Sequence, residues 1–178
     1  MSPTIPSYPS SQGPAVNENR ARTVYLMPDA KITANLVALL HQSLADTLDL
    51  AFQIQRAHWA VDGRNACGLR LLFANLHGQL TTYVDAFNQR AVTCGNQALE
   101  TLRAAGPSAL HEGDPLDTRG DKIVLGDLVD RCGEYSGRIR AASRLAENLG
   151  DPDMAAFCKG ISRDMDKTLW MLTSIQVA

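Results

Sequence analysis

His58-Trp59-Ala60-Val61-Asp62-Gly63 opens a stretch that continues through Phe73-Ala74-Asn75-Leu76-His77 and closes on Asp85-Ala86-Phe87-Asn88-Gln89-Arg90-Ala91. It reads as the end of one long helix, a short turn and most of a second helix. Asp62-Gly63-Arg64-Asn65 is the turn, because Asp and Gly break a helix and tolerate unusual backbone angles. Upstream, Leu36, Leu39, Leu40, Leu44, Leu48, Ala51, Ile54 and Gln55 recur at three- and four-residue steps. That is one apolar stripe, with Asp46, Asp49 and Arg56 away from its centre. Helix A therefore runs from near Pro28-Asp29 to about Val61, some ~50 Å at ~1.5 Å per residue, a length usual in bundles. Helix B follows from about Cys67 to Cys94, with Gly95 placed to end it.

Working outward, Asn96 is a plausible N-cap for a short amphipathic segment from Gln97 to Ala105. Gly106, Pro107, Gly113, Pro115 and Gly120 make 106–120 a long crossover. Helix C runs from Asp121 to Leu149 and ends at Gly150. Asp151-Pro152-Asp153 starts helix D, with Asp as N-cap, Pro in the first turn and a second acid behind it. Helix D reaches nearly to Ala178. The fold class is all-α: a ferritin-like four-helix bundle with a long B–C crossover carrying a short helix. Residues 1–26, with Pro3, Pro6, Pro9 and Pro14, read as a flexible tail, and 27–178 as the bundle domain.

The chain has 178 residues and 19.3 kDa, which suits one core. Its net charge of -2 and pI of about 6.0 provide no global field for nucleic acid, so DNA binding needs a local basic patch. The tail is a poor candidate: within 1–22 the charges are Glu18, Arg20 and Arg22. Cys67, Cys94, Cys132 and Cys158 form no C-x-x-C pair and read as buried free thiols in a reducing compartment. No secretory signal and no membrane-length apolar run is seen, so a cytoplasmic location without a membrane partner is expected.

His58 is the first candidate for chemistry. A neutral imidazole binds iron, copper or zinc, yet a His beside a Trp taken alone is more often packing or a hydrogen-bonded surface group. Asp85 and Gln89 lie one turn apart on helix B, where a carboxylate binds a hard cation and an amide binds it less well. Arg70, Ala74, His77 and Thr81 share that general face. Asp85 also reads as a solvated or ion-paired acid, with Arg90 as a partner. His77 is about 12 Å from Asp85 along the helix, so the two meet at one ion only across a symmetry axis. His41 and His111 have no evident partners. Ser162-Arg163-Asp164-Met165-Asp166-Lys167, followed by Leu169-Trp170, reads as ion pairs at a subunit contact. Asp127, Asp130 and Glu134 form an acidic face on helix C, solvated or, where three copies meet, a cation pore.

These residues together resemble the Dps family of mini-ferritins. The pattern H-W-x-x-x-G is met by His58, Trp59 and Gly63. The pattern D-x-x-x-E-R-A followed by Gly falls on Asp85, Gln89-Arg90-Ala91 and Gly95, and S-R-D-x-D-K-x-L-W on Ser162 to Trp170. The resemblance spans roughly 30–177. It implies a homo-oligomer, a dodecamer with tetrahedral symmetry, that oxidises Fe(II) with peroxide or oxygen and stores ferric mineral. It further implies protection under starvation or oxidative stress and, in many members, DNA condensation. It places the iron site at a two-fold interface between helix A of one subunit and helix B of its neighbour. On that pattern His58 and Asp85 are ligands, with Trp59 beside them. Gln89 stands where the pattern has Glu, Arg70 where it has a second His, and Ala74 where it has Asp. A shifted register over Phe73-Ala74-Asn75-Leu76-His77 would bring in His77 instead. The lost carboxylates and added cation imply weaker iron binding, and an Arg70–Asp85 salt bridge would replace the metal. Two rivals follow: a ferroxidase-deficient shell, structural, DNA-protecting or co-assembling with active paralogues, and a shell holding zinc or copper through His58 and His77.

Overall fold

The computed structural model describes residues 30–63, 65–94 and 121–177. They form four helices: α1 (Ala30–Ala60), α2 (Ala66–Thr93), α3 (Asp121–Asn148) and α4 (Pro152–Val177). Among the described residues there is no strand. The tail, the Pro28-Asp29 start, the short helix from Gln97 to Ala105 and the crossover with His111 lie outside them. α1 packs on α2 and on α3, and α3 packs on α4. α2 meets α4 through Phe87 against Phe157, with ring centroids 5.1 Å apart, and Tyr83 against the same ring.

The apolar spacing explains this arrangement. On α2 the buried residues are Ala66, Leu69, Phe73, Leu76, Leu80, Tyr83, Phe87 and Ala91, a three-four repeat that makes one continuous seam. α1 presents Leu36, Leu40, Leu44 and Ile54 to it, α3 presents Leu128 and Ile139, and α4 presents Met154, Ile161, Met165 and Leu172. Gln55, counted into the α1 stripe from its spacing, is only half-buried. Gln53 is the buried amide, 3% exposed. Asp46 is not away from the stripe either. It is 8% exposed and accepts from Arg138 of α3 at 2.9 Å and from Gln42 at 3.0 Å. An acid can sit this deep because a guanidinium reaches it from the next helix.

Two tight turns set the helix pairs. Gly63 has φ 97° and Gly150 φ 77°, the left-handed region in which a Cβ is strained. At the second turn Gly150 N donates to Glu147 O and Asp151 N to Ala146 O, the double bond of a Schellman ending. Asp151 then caps the next helix: its Oδ1 accepts from Met154 N at 2.9 Å. Both its carboxylate oxygens also accept from Arg90 Nη2 at 2.7 Å. Arg90 is thus the partner of Asp151 and not of Asp85.

All four cysteines are free, but they are not alike. Cys132 and Cys158 are buried, Cys94 is half-buried and Cys67 is exposed at the start of α2. Burial pushes the Cys132 and Cys158 thiols up from 9.0 to about 12. The phenols of Tyr83 and Tyr135 are also held above their ordinary 10.0, mainly by burial. In the unfolded chain these acids lose protons that the folded chain keeps. Their contribution to stability is therefore complete below about pH 9 and is lost as the pH rises towards about 12. The urea midpoint should fall steadily across that window, and a flat midpoint would contradict the burial.

Candidate metal centre

His58 lies near the C-terminal end of α1, with Trp59 beside it. Trp59 is 67% exposed in the protomer, and Phe52, two turns earlier on the same side of α1, is 53% exposed. His58 is half-buried. Its Nδ1 is withdrawn from solvent and has no hydrogen-bond partner among the described residues. A ring nitrogen so placed calls for a partner, which a bound water, a metal ion or a group from another chain supplies.

Arg70 occupies the same corner. Its Nη2 donates to Val61 O at 2.8 Å and so satisfies a carbonyl that α1 leaves open at its end. The expected Arg70–Asp85 salt bridge is absent within the chain, since fifteen positions of helix, about 22 Å, separate the two. Asp85, Gln89, Ala74 and Thr81 are exposed on the outer face of α2, and His77 is half-buried on it. Asp85 has no hydrogen bond or ion pair among the described residues.

α1 ends at Ala60 and α2 starts at Ala66, so His58 stands level with about residue 68 of α2. Asp85 is then about 25 Å further along the bundle. One chain cannot close these groups on one ion. Accordingly, no cluster of three or more His, Cys, Asp or Glu side chains suited to a metal occurs among the described residues.

The carboxylates of the Ser162–Lys167 stretch pair within the chain. Asp164 accepts from Tyr83 OH at 2.8 Å and Asp166 accepts from Arg140, while Lys167 reaches Asp164 at 3.2 Å. The ion pairs expected of this stretch are present, and these acids form them within one chain. Asp127, Asp130 and Glu134 form one stripe on α3. Asp130 and Glu134 are exposed, Asp127 is half-buried, and Glu134 lies 4.0 Å from Arg138.

The ferritin-like domain model matches residues 37–177 of this chain. The DNA protection during starvation protein of Agrobacterium fabrum is 33% identical over 147 residues, covering 83% of this chain and 90% of that protein. The chain belongs to the Dps family of ferritin-like proteins. Solved Dps structures share its fold. That from Bacillus brevis superposes with a TM-score of 0.73 at 20% identity, covering 83% of this chain and 98% of its own. That from Vibrio cholerae O1, described as one of the ferritin-like diiron-carboxylate proteins, gives 0.69 at 20% identity, covering 83% and 92%. Among the described residues, no helix of this Dps-family chain is long and apolar enough to cross a membrane. Spacing alone did not reveal the Arg70 cap of α1, nor the Arg90–Asp151 bridge. Each joins residues brought together only by a turn or by packing.

Proposed function

We propose that this chain assembles as a homo-oligomeric shell, a dodecamer, that takes up Fe(II) at an inter-subunit site and retains it as ferric mineral. His58 of one copy and Asp85 of another are its principal ligands, Gln89 is a weaker third, and Trp59 lies beside them. The unpartnered Nδ1 of His58 carries this reading. The exposed Phe52 and Trp59, seven residues apart on one side of α1, support it, because apolar side chains on one face favour cover by a second copy. In the reaction two Fe(II) ions each give one electron to a peroxide, which with two protons becomes two waters. The protein's part is to hold the ions and to exclude the bulk solvent in which they would precipitate. Asp127, Asp130 and Glu134 serve as the entry stripe where copies meet.

The site is poor in charge. Arg70, Ala74 and Gln89 stand where a full set would offer a histidine and two carboxylates, so Fe(III) is less well stabilised than by the full set. Those departures favour a second reading, a shell that protects without oxidising. Zinc held by His58 and His77 together does not fit this geometry, and a zinc site would have to be built on a pair of His77 side chains alone. A two-fold axis that brings His58 of one copy to Asp85 of the other passes at the level of His77. The His77 side chains of the two copies would then face each other there, about 12 Å along the helix from either site.

Stepwise Fe(II) addition to metal-free shells, followed by the ferric absorbance and by iron counted per shell after gel filtration, tests the proposal. Oxidation faster than buffer and hundreds of irons retained are the expected result, with His58→Ala reducing the initial rate at least about tenfold. Oxidation at the buffer rate and an empty shell would leave the protective reading.

A further inference from the structure

Away from the α1–α2 face, α3 and α4 enclose an open groove of ≈ 290 Å³ whose walls carry Arg140, Arg144, Lys159 and Arg163. Arg140 and Arg144 are four residues apart on α3, and Lys159 and Arg163 four apart on α4, so each pair faces the same way. Like charges at that spacing destabilise a helix unless something compensates them. Compensation is half complete: Arg140 pairs with Asp166 and Lys159 with Glu147. Arg144 and Arg163 are exposed and have no carboxylate partner among the described residues. The groove therefore holds four cations against two anions in a chain whose net charge is -2.

The register orders these charges. Ser143 Oγ donates to Ala155 O at 2.9 Å, and Lys159 meets Glu147, which places Arg144 towards one end of the groove. Ser136 lies against Ser162, which places Arg163 towards the other. The antiparallel helices thus set Arg144, Lys159, Arg140 and Arg163 in a row that alternates between the walls and spans about 10 Å along the groove, roughly two helical turns in all. A row of this kind suits the oxygens of phosphate groups, for which guanidinium is the best-matched side chain.

We infer that the α3–α4 groove is a binding site for phosphate-class oxyanions, with Arg144 and Arg163 as the free donors and Arg140 and Lys159 recruited from their carboxylates as the anion enters. It goes beyond the iron reading and does not depend on His58. Free phosphate and the backbone of a nucleic acid offer the same chemistry.

The test uses the assembled protein and two probes, inorganic phosphate by calorimetry and a short DNA duplex by fluorescence anisotropy across a salt series. The double variant Arg144→Gln/Arg163→Gln should weaken at least one probe by about tenfold or more. If the duplex is the ligand, the variant should also reduce the slope of log K against log salt by about 2. Loss for the duplex alone assigns the site to a nucleic-acid backbone, and loss for both admits free phosphate. Glu147→Gln with Asp166→Asn, which frees Lys159 and Arg140, should tighten the same probe several-fold. Unchanged binding in both variants, or no binding of either probe by the unaltered protein, would overturn the inference. So would a double Arg variant that elutes as smaller species, since the two guanidiniums would then belong to a contact between copies.

Discussion

Asp151→Ala is expected to lower the unfolding free energy by about 2–3 kcal/mol and the melting midpoint by roughly 5–10 °C. Asp151 performs two tasks at one point. It caps α4 through Met154 N, a contribution of about 1 kcal/mol. It also receives Arg90 from α2, with side-chain exposures of 35% and 11% for the pair. Removing the carboxylate leaves a partly buried guanidinium without its anion. Arg90 Nε is already buried and unpartnered, so no spare acceptor is at hand. That adds about 1–2 kcal/mol. Asp151→Asn separates the tasks, because asparagine caps as well as aspartate but cannot neutralise Arg90. It should cost about half as much. Chemical unfolding followed by far-ultraviolet circular dichroism checks both, and a change under about 0.5 kcal/mol for Asp151→Ala would show that the bridge contributes nothing.

The second large effect is a gain. Arg70→His combined with Gln89→Glu should raise the initial rate of Fe(II) oxidation by about 10- to 100-fold over the unaltered shell. Gln89 is exposed on the face that carries Asp85, one turn on, so a glutamate there adds a charged ligand without entering the core. Arg70 stands at the His58 corner, where its charge repels a cation. The exchange has a cost on the folding side: Val61 O loses its donor, and stability should fall by about 0.5–1.5 kcal/mol. The single variant Gln89→Glu keeps the Arg70 bond and isolates the charge effect. Stopped-flow absorbance at constant Fe(II) measures both, and rates equal to the unaltered protein would mean that ligand loss does not limit this site.

The bundle was legible in the sequence because its signals are local. Leucines at three- and four-residue steps, Gly63, Gly150 and the Asp151-Pro152 start each act over one or two turns, and all appear in the structure where spacing put them. What spacing could not show is which distant group reaches a given polar residue. Asp46 looks the same on the flank of a stripe whether it faces water or Arg138, which is 92 positions away. Asp151 reads as a cap, but nothing near it announces Arg90, 61 positions earlier. The α3–α4 groove had a signal that was passed over: two basic pairs at four-residue spacing on antiparallel helices. The iron site was legible only as a pair of positions, because its ligands lie about 25 Å apart in one chain.

That separation gives the most direct measurement. Shells would be made with His58→Ala alone, with Asp85→Ala alone, and with the two variants mixed equally by co-expression. Each alone should oxidise Fe(II) no faster than buffer or nearly so. In mixed shells, a site that takes His58 from one copy and Asp85 from the other is intact once in every mixed pair, so about a quarter of the sites, and of the initial rate, should return. Mixed shells as inactive as either parent would mean that His58 and Asp85 do not meet across an interface, and the proposed site would be wrong.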